Sequence, residues 1–476
     1  MNLRLFLLAI ASTILLNFSS VAQDKEESSK FKQNLDSIIE DAFHRFDEKL
    51  GTYIFRDEPD NIDEFEENKD EDEFLTSDNE NIQIPRKRSF SRGIYSVPPE
   101  HGIVRNISPV MPWEIMDENI LFRYNRVEGL FLGLNYPQKY YWDDHHISLF
   151  ASGGYGFQSH RWRGGIGAAQ QFGTNETLIE IGVEGHSLTD THDEWLVDLD
   201  ENNLAAFLFR HDYRDYFGRE GISAWTGIYK RWQKSDLQFQ VAYRNDSYES
   251  LEKTTNWSIF GTDRIFRENF SINDGRMQSV LATLHFHSTE SRKLLTGGWS
   301  FSGSAELAGN AFGGDFDFNS YTIDVRRYQP ISKYDNINIR LRGSSATGDL
   351  PFQKQFELGG LSTLPAYRFK EFSGNRMLLL NAEYVVNGKM FDDVDFFPSW
   401  LLRNINMIIF ADAGFINDID RNANAFDGFE SLTKKTIRSD WGVGIGTRDA
   451  KLRLGFAWRT DVAQPPMVFL RINRPF

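Results

Sequence analysis

His285 and His287 stand two residues apart, which puts both imidazoles on one face of a strand. Two such side chains can begin a metal site, but no third ligand follows at a telling spacing, and a plain strand face is the favoured reading. Asp143-Asp144-His145-His146 reads as a solvated turn in an outer loop. Asp418-x-Asp420-x-Asn422-x-Asn424 opens like a calcium loop, yet the glycine and the closing Glu of such a loop are missing. A hydrolase would need Ser, His and an acid converging on one wall, and no such trio is visible. No glycine-rich phosphate loop precedes a helix, and the absence of cysteine rules out thiolate metal sites, disulfides and a lipid-anchoring cysteine. The expectation is therefore a protein without catalytic residues, metal or cofactor, and not an enzyme.

The elements that would position any such groups fall into two regimes. Residues 1–22 read as a cleaved signal peptide: Arg4 is the positive start, Leu5 to Leu16 the apolar run, and Ser20-Val21-Ala22 the small-residue cleavage site. From Asp24 to about Asn119 the chain is polar and acidic. Within it Phe31, Leu35, Ile38, Ile39, Phe43, Phe46 and Leu50 recur at helical spacing, so an amphipathic helix is expected over about 29–50. Its stripe calls for a partner: the rest of this chain, or a periplasmic or outer-membrane protein. Asp57 to Glu80 reads as a solvated acidic tether, with docking of an ion or partner as the other reading.

From about Leu121 onward, alternating runs are separated by Gly, Asn, Asp and Pro. They count as about sixteen strands of the length a tilted transmembrane strand needs. The series runs from Arg126–Leu134 through Leu204–Tyr213 and Arg376–Val386 to Met467–Asn473. Met407, Ile409, Ala411 and Ala413 alternate with Asp412 and Gly414; Leu452, Leu454, Phe456 and Trp458 alternate with Lys451, Arg453, Gly455 and Ala457. A soluble sandwich would have to bury faces like these against each other, whereas a barrel gives the charged face a lumen and the apolar face lipid. The expected fold is all-β: a transmembrane antiparallel β-barrel over 120–476, behind a short helical or disordered N-terminal extension, 23–119. Forty Phe and 14% aromatic residues suit two aromatic girdles, and the mean hydropathy of −0.46 fits strands that meet lipid on one face only. The net charge of −16 argues against a nucleic-acid partner, leaving outer-membrane lipid as the expected surroundings.

Four stretches go further. Pro351 to Tyr384 carries Gly359-Gly360, Tyr367, Gly374, Glu383 and Tyr384; IIFADAGF carries Phe410, Asp412 and Gly414; WGVGIGTRDAKLRLGFAWR alternates glycine; VFLRINRPF ends on Phe476. In this order they resemble the sixth extracellular loop and closing strands of the BamA/TamA superfamily, which includes the two-partner-secretion transporters. The resemblance implies that the loop lies between strands eleven and twelve and folds into the lumen. It also implies a loop-tip Arg that pairs with inward carboxylates. Here Pro365 and Ala366 stand where that Arg-Gly would be, so either Arg368 supplies the guanidinium to Glu383 or Asp412, or Tyr367 anchors the loop by packing. The resemblance implies further a seam between first and last strands that opens sideways. Gly129 and Gly133 on an expected first strand, and Pro466 before the last, weaken that seam. The implied role is outer-membrane biogenesis or protein export and insertion, with no recognisable POTRA module; a passive or plugged solute channel is the alternative, and an envelope lipid hydrolase the third.

Overall fold

The structure is a computed structural model that describes residues 120–136, 147–173, 176–260, 265–288, 290–292, 295–309, 312–391, 402–447 and 452–472. The signal peptide, the acidic extension with its helix, Asp143 to His146 and Phe476 lie outside the described residues.

Among the described residues sixteen long strands form the wall. The first half comprises β1 (Ile120–Asn125), β2 (Gly129–Tyr136), β3 (Ile147–Gly156), β4 (Arg161–Gly173), β5 (Thr177–Asp190), β6 (Phe217–Arg231), β7 (Ser235–Ser250) and β8 (Gly275–Ser288). The second half comprises β9 (Leu295–Ala308), β10 (Phe318–Pro330), β11 (Asp335–Gly348), β12 (Arg376–Asn387), β13 (Ile405–Asn417), β14 (Arg438–Thr447), β15 (Leu452–Arg459) and β16 (Met467–Ile472). Each pairs antiparallel with the next, in chain order. No helix among the described residues is long and apolar enough to cross a membrane.

Period-two patterning sets the faces. On β11, Asn336, Asn338, Arg340, Arg342 and Ser344 are buried, while Ile339 and Leu341 are exposed. The same inversion runs around the wall: Ile147, Ile166 (69% exposed), Ile222, Ile323, Ile409 and Val468 point outward. Arg219, Arg244 and Arg340, by contrast, are among the most buried side chains of the molecule. Charged groups inside and aliphatic groups outside is the polarity of a wall standing in lipid.

Two expectations are corrected. The expected strand Leu204–Tyr213 is instead helix α1 (Leu199–Phe209) and the loop after it. The Asp198 carboxylate accepts from the Asp200 N–H at 3.1 Å to start the helix, and Arg210, in the left-handed region at φ 57°, ends it. The strand expected to be first also shifts. Arg126 to Glu128 is a turn, and Ile120–Asn125 precedes it as β1, so Gly129 and Gly133 belong to β2. Gly129 takes φ 63° to leave that turn. The two errors cancel in the count, which is why the long loop still falls between strands eleven and twelve.

Candidate functional site

That loop, 349–375, is folded against the wall's inner face. Its direction reverses at Gly359 (φ 115°) and Gly360 (φ 89°), a backbone that disfavours any Cβ; at Gly359 one would collide with the Arg368 carbonyl. Thr363 then closes the tip: the Gly359 N–H donates to its Oγ1 at 2.8 Å, and its own N–H donates to the Gly360 carbonyl at 3.1 Å.

The wall holds this tip mainly by reaching into its carbonyls. Arg471 of β16 donates to the Leu361 carbonyl at 2.6 Å and to Ser362 Oγ at 3.0 Å. Arg340 of β11 donates to the Ser362 carbonyl at 3.3 Å, and Asn381 of β12 to the Thr363 carbonyl at 2.9 Å. In the opposite sense, the Ala366 N–H donates to Asp440 Oδ2 on β14 at 2.8 Å. Leu358, Leu364, Ala366 and Tyr367 complete the attachment in an apolar cluster with Met377, Leu379, Ile408, Phe410 and Ala457.

Each sequence-expected residue has a definite place. Tyr367 is buried, its hydroxyl donates to the Ser439 carbonyl at 3.4 Å, and the Arg459 guanidinium lies 4.2 Å from its ring centre. Arg368 is exposed and gives only its backbone N–H, to Glu371 at 2.8 Å, because the chain has already turned outward there; it pairs with neither Glu383 nor Asp412. The guanidinium beside Glu383 comes from the wall: Arg453 of β15 donates to it at 2.6 Å and Asn338 at 2.8 Å. Asp412 accepts from Asn381 Nδ2 at 2.7 Å. Phe410 lies beneath Arg453 and edge-on to Phe469, and Gly414 leaves room for Leu358 and Leu364, which a Cβ would meet at 2.9 and 3.1 Å. Gly129, Gly133 and Pro466 lie on β2 and just before β16, near the seam and apart from the plug.

Sequence reasoning missed Arg340, Asn381, Asp440, Arg453 and Arg471. Their parity was visible, since Arg453 and Arg471 alternate with the outward Leu452, Leu454 and Leu470. Their partners were not, because strands far apart in sequence face each other only once the wall curves.

A second charged group closes the loop-bearing end. Lys370 sits between Asp193 (2.7 Å), Asp215 (2.7 Å) and Glu357 (2.8 Å), and Asp215 also meets Arg126 at 2.9 Å and Arg267 at 2.6 Å. Burial opposes charge on Asp215, but Lys370 and Arg267 outweigh it and hold the carboxyl at about 2. Among the described residues Glu357 is paired with Lys370; burial, with Asp193 and Asp215 nearby, pushes it up to about 7 despite that cation. Asp420 and Asn422, like Asn424 and Asp427, bond to one another as loop turns. Among the described residues no three His, Cys, Asp or Glu side chains are grouped as a metal would require.

The chain can now be set beside known proteins. The profile of the Omp85 superfamily domain matches residues 165–465. No curated protein sequence matches. Among solved structures, BamA from Haemophilus ducreyi lacking POTRA domains 1-3 is similar at 12% identity and a TM-score of 0.45, over 73% of this chain and 67% of that one. CdiB from Acinetobacter baumannii is similar at 11% identity and a TM-score of 0.39, over 72% of this chain and 55% of that one. CdiB from Escherichia coli gives 12% and 0.38, over 73% and 59%. The chain thus spans less than two thirds of either CdiB chain.

Proposed function

The chain belongs to the Omp85 superfamily of outer-membrane insertion and secretion barrels, and from that premise we propose that it handles protein at its seam and lumen rather than conducting solutes. The observation that carries this reading is the filled lumen. Loop 349–375 occupies the interior, fixed to β11, β12, β14 and β16 by the bonds described above. The wall charges around it are answered by the wall or by the loop itself: Asp324 by Arg340 at 2.6 Å and Asp246 by Arg219 at 3.0 Å, both within the wall, and Glu306 by Lys354 of the loop at 2.9 Å. A porin lumen leaves such groups to water and ions. We assign both termini to the periplasm on the ground that the sixteen described strands, an even number, return the chain to the side it started from. The acidic segment 23–119, whose sequence predicts an amphipathic helix over about 29–50, is proposed as the part that meets a protein partner. Catalysis has no part in this reading.

The test is reconstitution of the purified chain into lipid vesicles. An unfolded outer-membrane barrel added from urea should fold faster in these vesicles than in empty ones, and planar-bilayer conductance should stay small. A stable, large, ohmic pore with no effect on client folding would instead identify a solute channel.

A further inference from the structure

Helix α1 comes from the connection between β5 and β6, yet it binds the strands at the two ends of the sheet. Asn203 Oδ1 accepts from the Tyr124 backbone N–H of β1 at 3.2 Å. Two residues earlier on the helix, Glu201 Oε1 accepts from the Ile472 backbone N–H of β16 at 3.2 Å and from Arg471 Nε at 3.2 Å. These are main-chain donors of the first and last strands, and side chains of one helix satisfy both. Among the described residues, no ladder register joins β1 to β16.

The helix also changes polarity along its axis rather than around it. Asp200, Glu201, Asn202 and Asn203 form its buried first turn, and Ala205, Ala206, Phe207, Leu208 and Phe209 its last. Arg471 alternates with outward Val468 and Leu470, so the Glu201 end meets the lumen side of β16. At the other end Phe207 packs edge-on against Phe122 and Tyr124, at ring distances of 6.1 and 5.3 Å. The β1–β2 register puts Phe122 opposite Leu132 and Tyr124 opposite Leu130, on the row that also carries the outward Leu134. An element polar at its lumen end and apolar at its lipid end is one that passes through the wall.

We propose that α1 is a stave of the barrel: it stands between β1 and β16 in place of the closing ladder, and its side chains hold the two strand edges together. Unpaired strand edges in lipid are costly, and Glu201 and Asn203 remove that cost while the helix is seated. The Glu201 charge is tolerated there because Arg471 answers it. Seating is tied to the lumen loop. Arg471 binds Leu361 and Ser362 as well as Glu201, Ser362 Oγ donates to the Leu196 carbonyl just before the helix, and Trp195 lies 4.0 Å from the Arg342 guanidinium. Displacing the loop tip therefore loosens the stave. None of this depends on what the barrel transports.

The chain has no cysteine, so the placement can be tested directly. Asn203→Cys combined with Tyr124→Cys should crosslink on mild oxidation of the folded, membrane-embedded protein; a pair that stays reduced there overturns the placement. The role is read from amide exchange in Glu201→Ala/Asn203→Ala. The Tyr124 and Ile472 amides should exchange at least about tenfold faster, with the β6–β7 ladder unchanged. Glu201→Gln, which keeps an acceptor, should restore part of the Ile472 protection. Unchanged exchange at both amides in the double variant overturns the proposal. If that variant does not reach the folded, heat-modifiable form, the cysteine pair decides alone.

Discussion

Arg453 reaches Glu383 from β15 to β12, with its guanidinium 5.4 Å from the Phe410 ring centre, so one side chain ties together three strands of the inner wall. Arg453→Ala should leave the Glu383 carboxylate buried beside Asn338 alone and lower stability by roughly 3–5 kcal/mol. Arg453→Met with Glu383→Gln should lose clearly less, because no bare charge remains. The midpoint of the heat-induced mobility shift checks this, and equal losses in the two variants would show that the pair is not what holds these strands. Glu383, Phe410, Asp412 and Gly414 were legible from sequence because a strand's period fixes their face and their spacing matches a known motif. Arg368 misled because proximity to the tip in sequence is not proximity in space: the turn that buries Tyr367 sends the next side chain outward. Arg453, three strands from its partner, had no local signal at all.

Among the elements, the loops at the far end answer to pH through Lys370. Glu357, at about 7, is raised above its ordinary value, so the stability it contributes is complete below about 4.5 and is lost as pH rises through about 7. Asp215, at about 2, works in the opposite direction, and its contribution is lost only as pH falls from about 4 toward 2. Protease cleavage within 191–216 and 351–375 should therefore increase as pH rises from about 4.5 to about 7 and level off above that. Glu357→Gln should flatten that profile, and a profile that persists in the variant would place the titration elsewhere. Strands were the most legible elements, since alternation is a strong signal where one face meets lipid. The apolar run Leu204 to Phe209 was misread as one of them because a short run without helical period is ambiguous. The capping Asp198 and the acidic turn after it marked a helix start, and an apolar stripe was missing only because this helix is amphipathic end to end. β1 was missed for a related reason: Ile120 to Asn125 is six residues long, shorter than a span suggests.

For the whole molecule, the loop held against the inner wall is expected to set conductance. Deleting Leu361 to Tyr367 removes the segment that Arg340, Asn381, Asp440 and Arg471 hold, and should turn a nearly silent barrel into one with large, fluctuating openings in planar bilayers. If the deletion stays silent while the barrel remains heat-modifiable, other loops close the passage. The seam has a consequence in time as well as in space. Among the described residues every ladder of the wall joins neighbours in the chain and can zip as hairpins do, but on α1 Asn203 is 79 residues from Tyr124 and Glu201 is 270 from Arg471. Contacts so distant form late, after the entropy of closing long loops has been overcome. The newborn protein must therefore pass through a stage with its hairpins complete and its two outermost strands still bare, waiting for a helix rather than for each other. Over that interval it exposes two strand edges at once, and its folding is finished only when a helix from a distant connection seats against both.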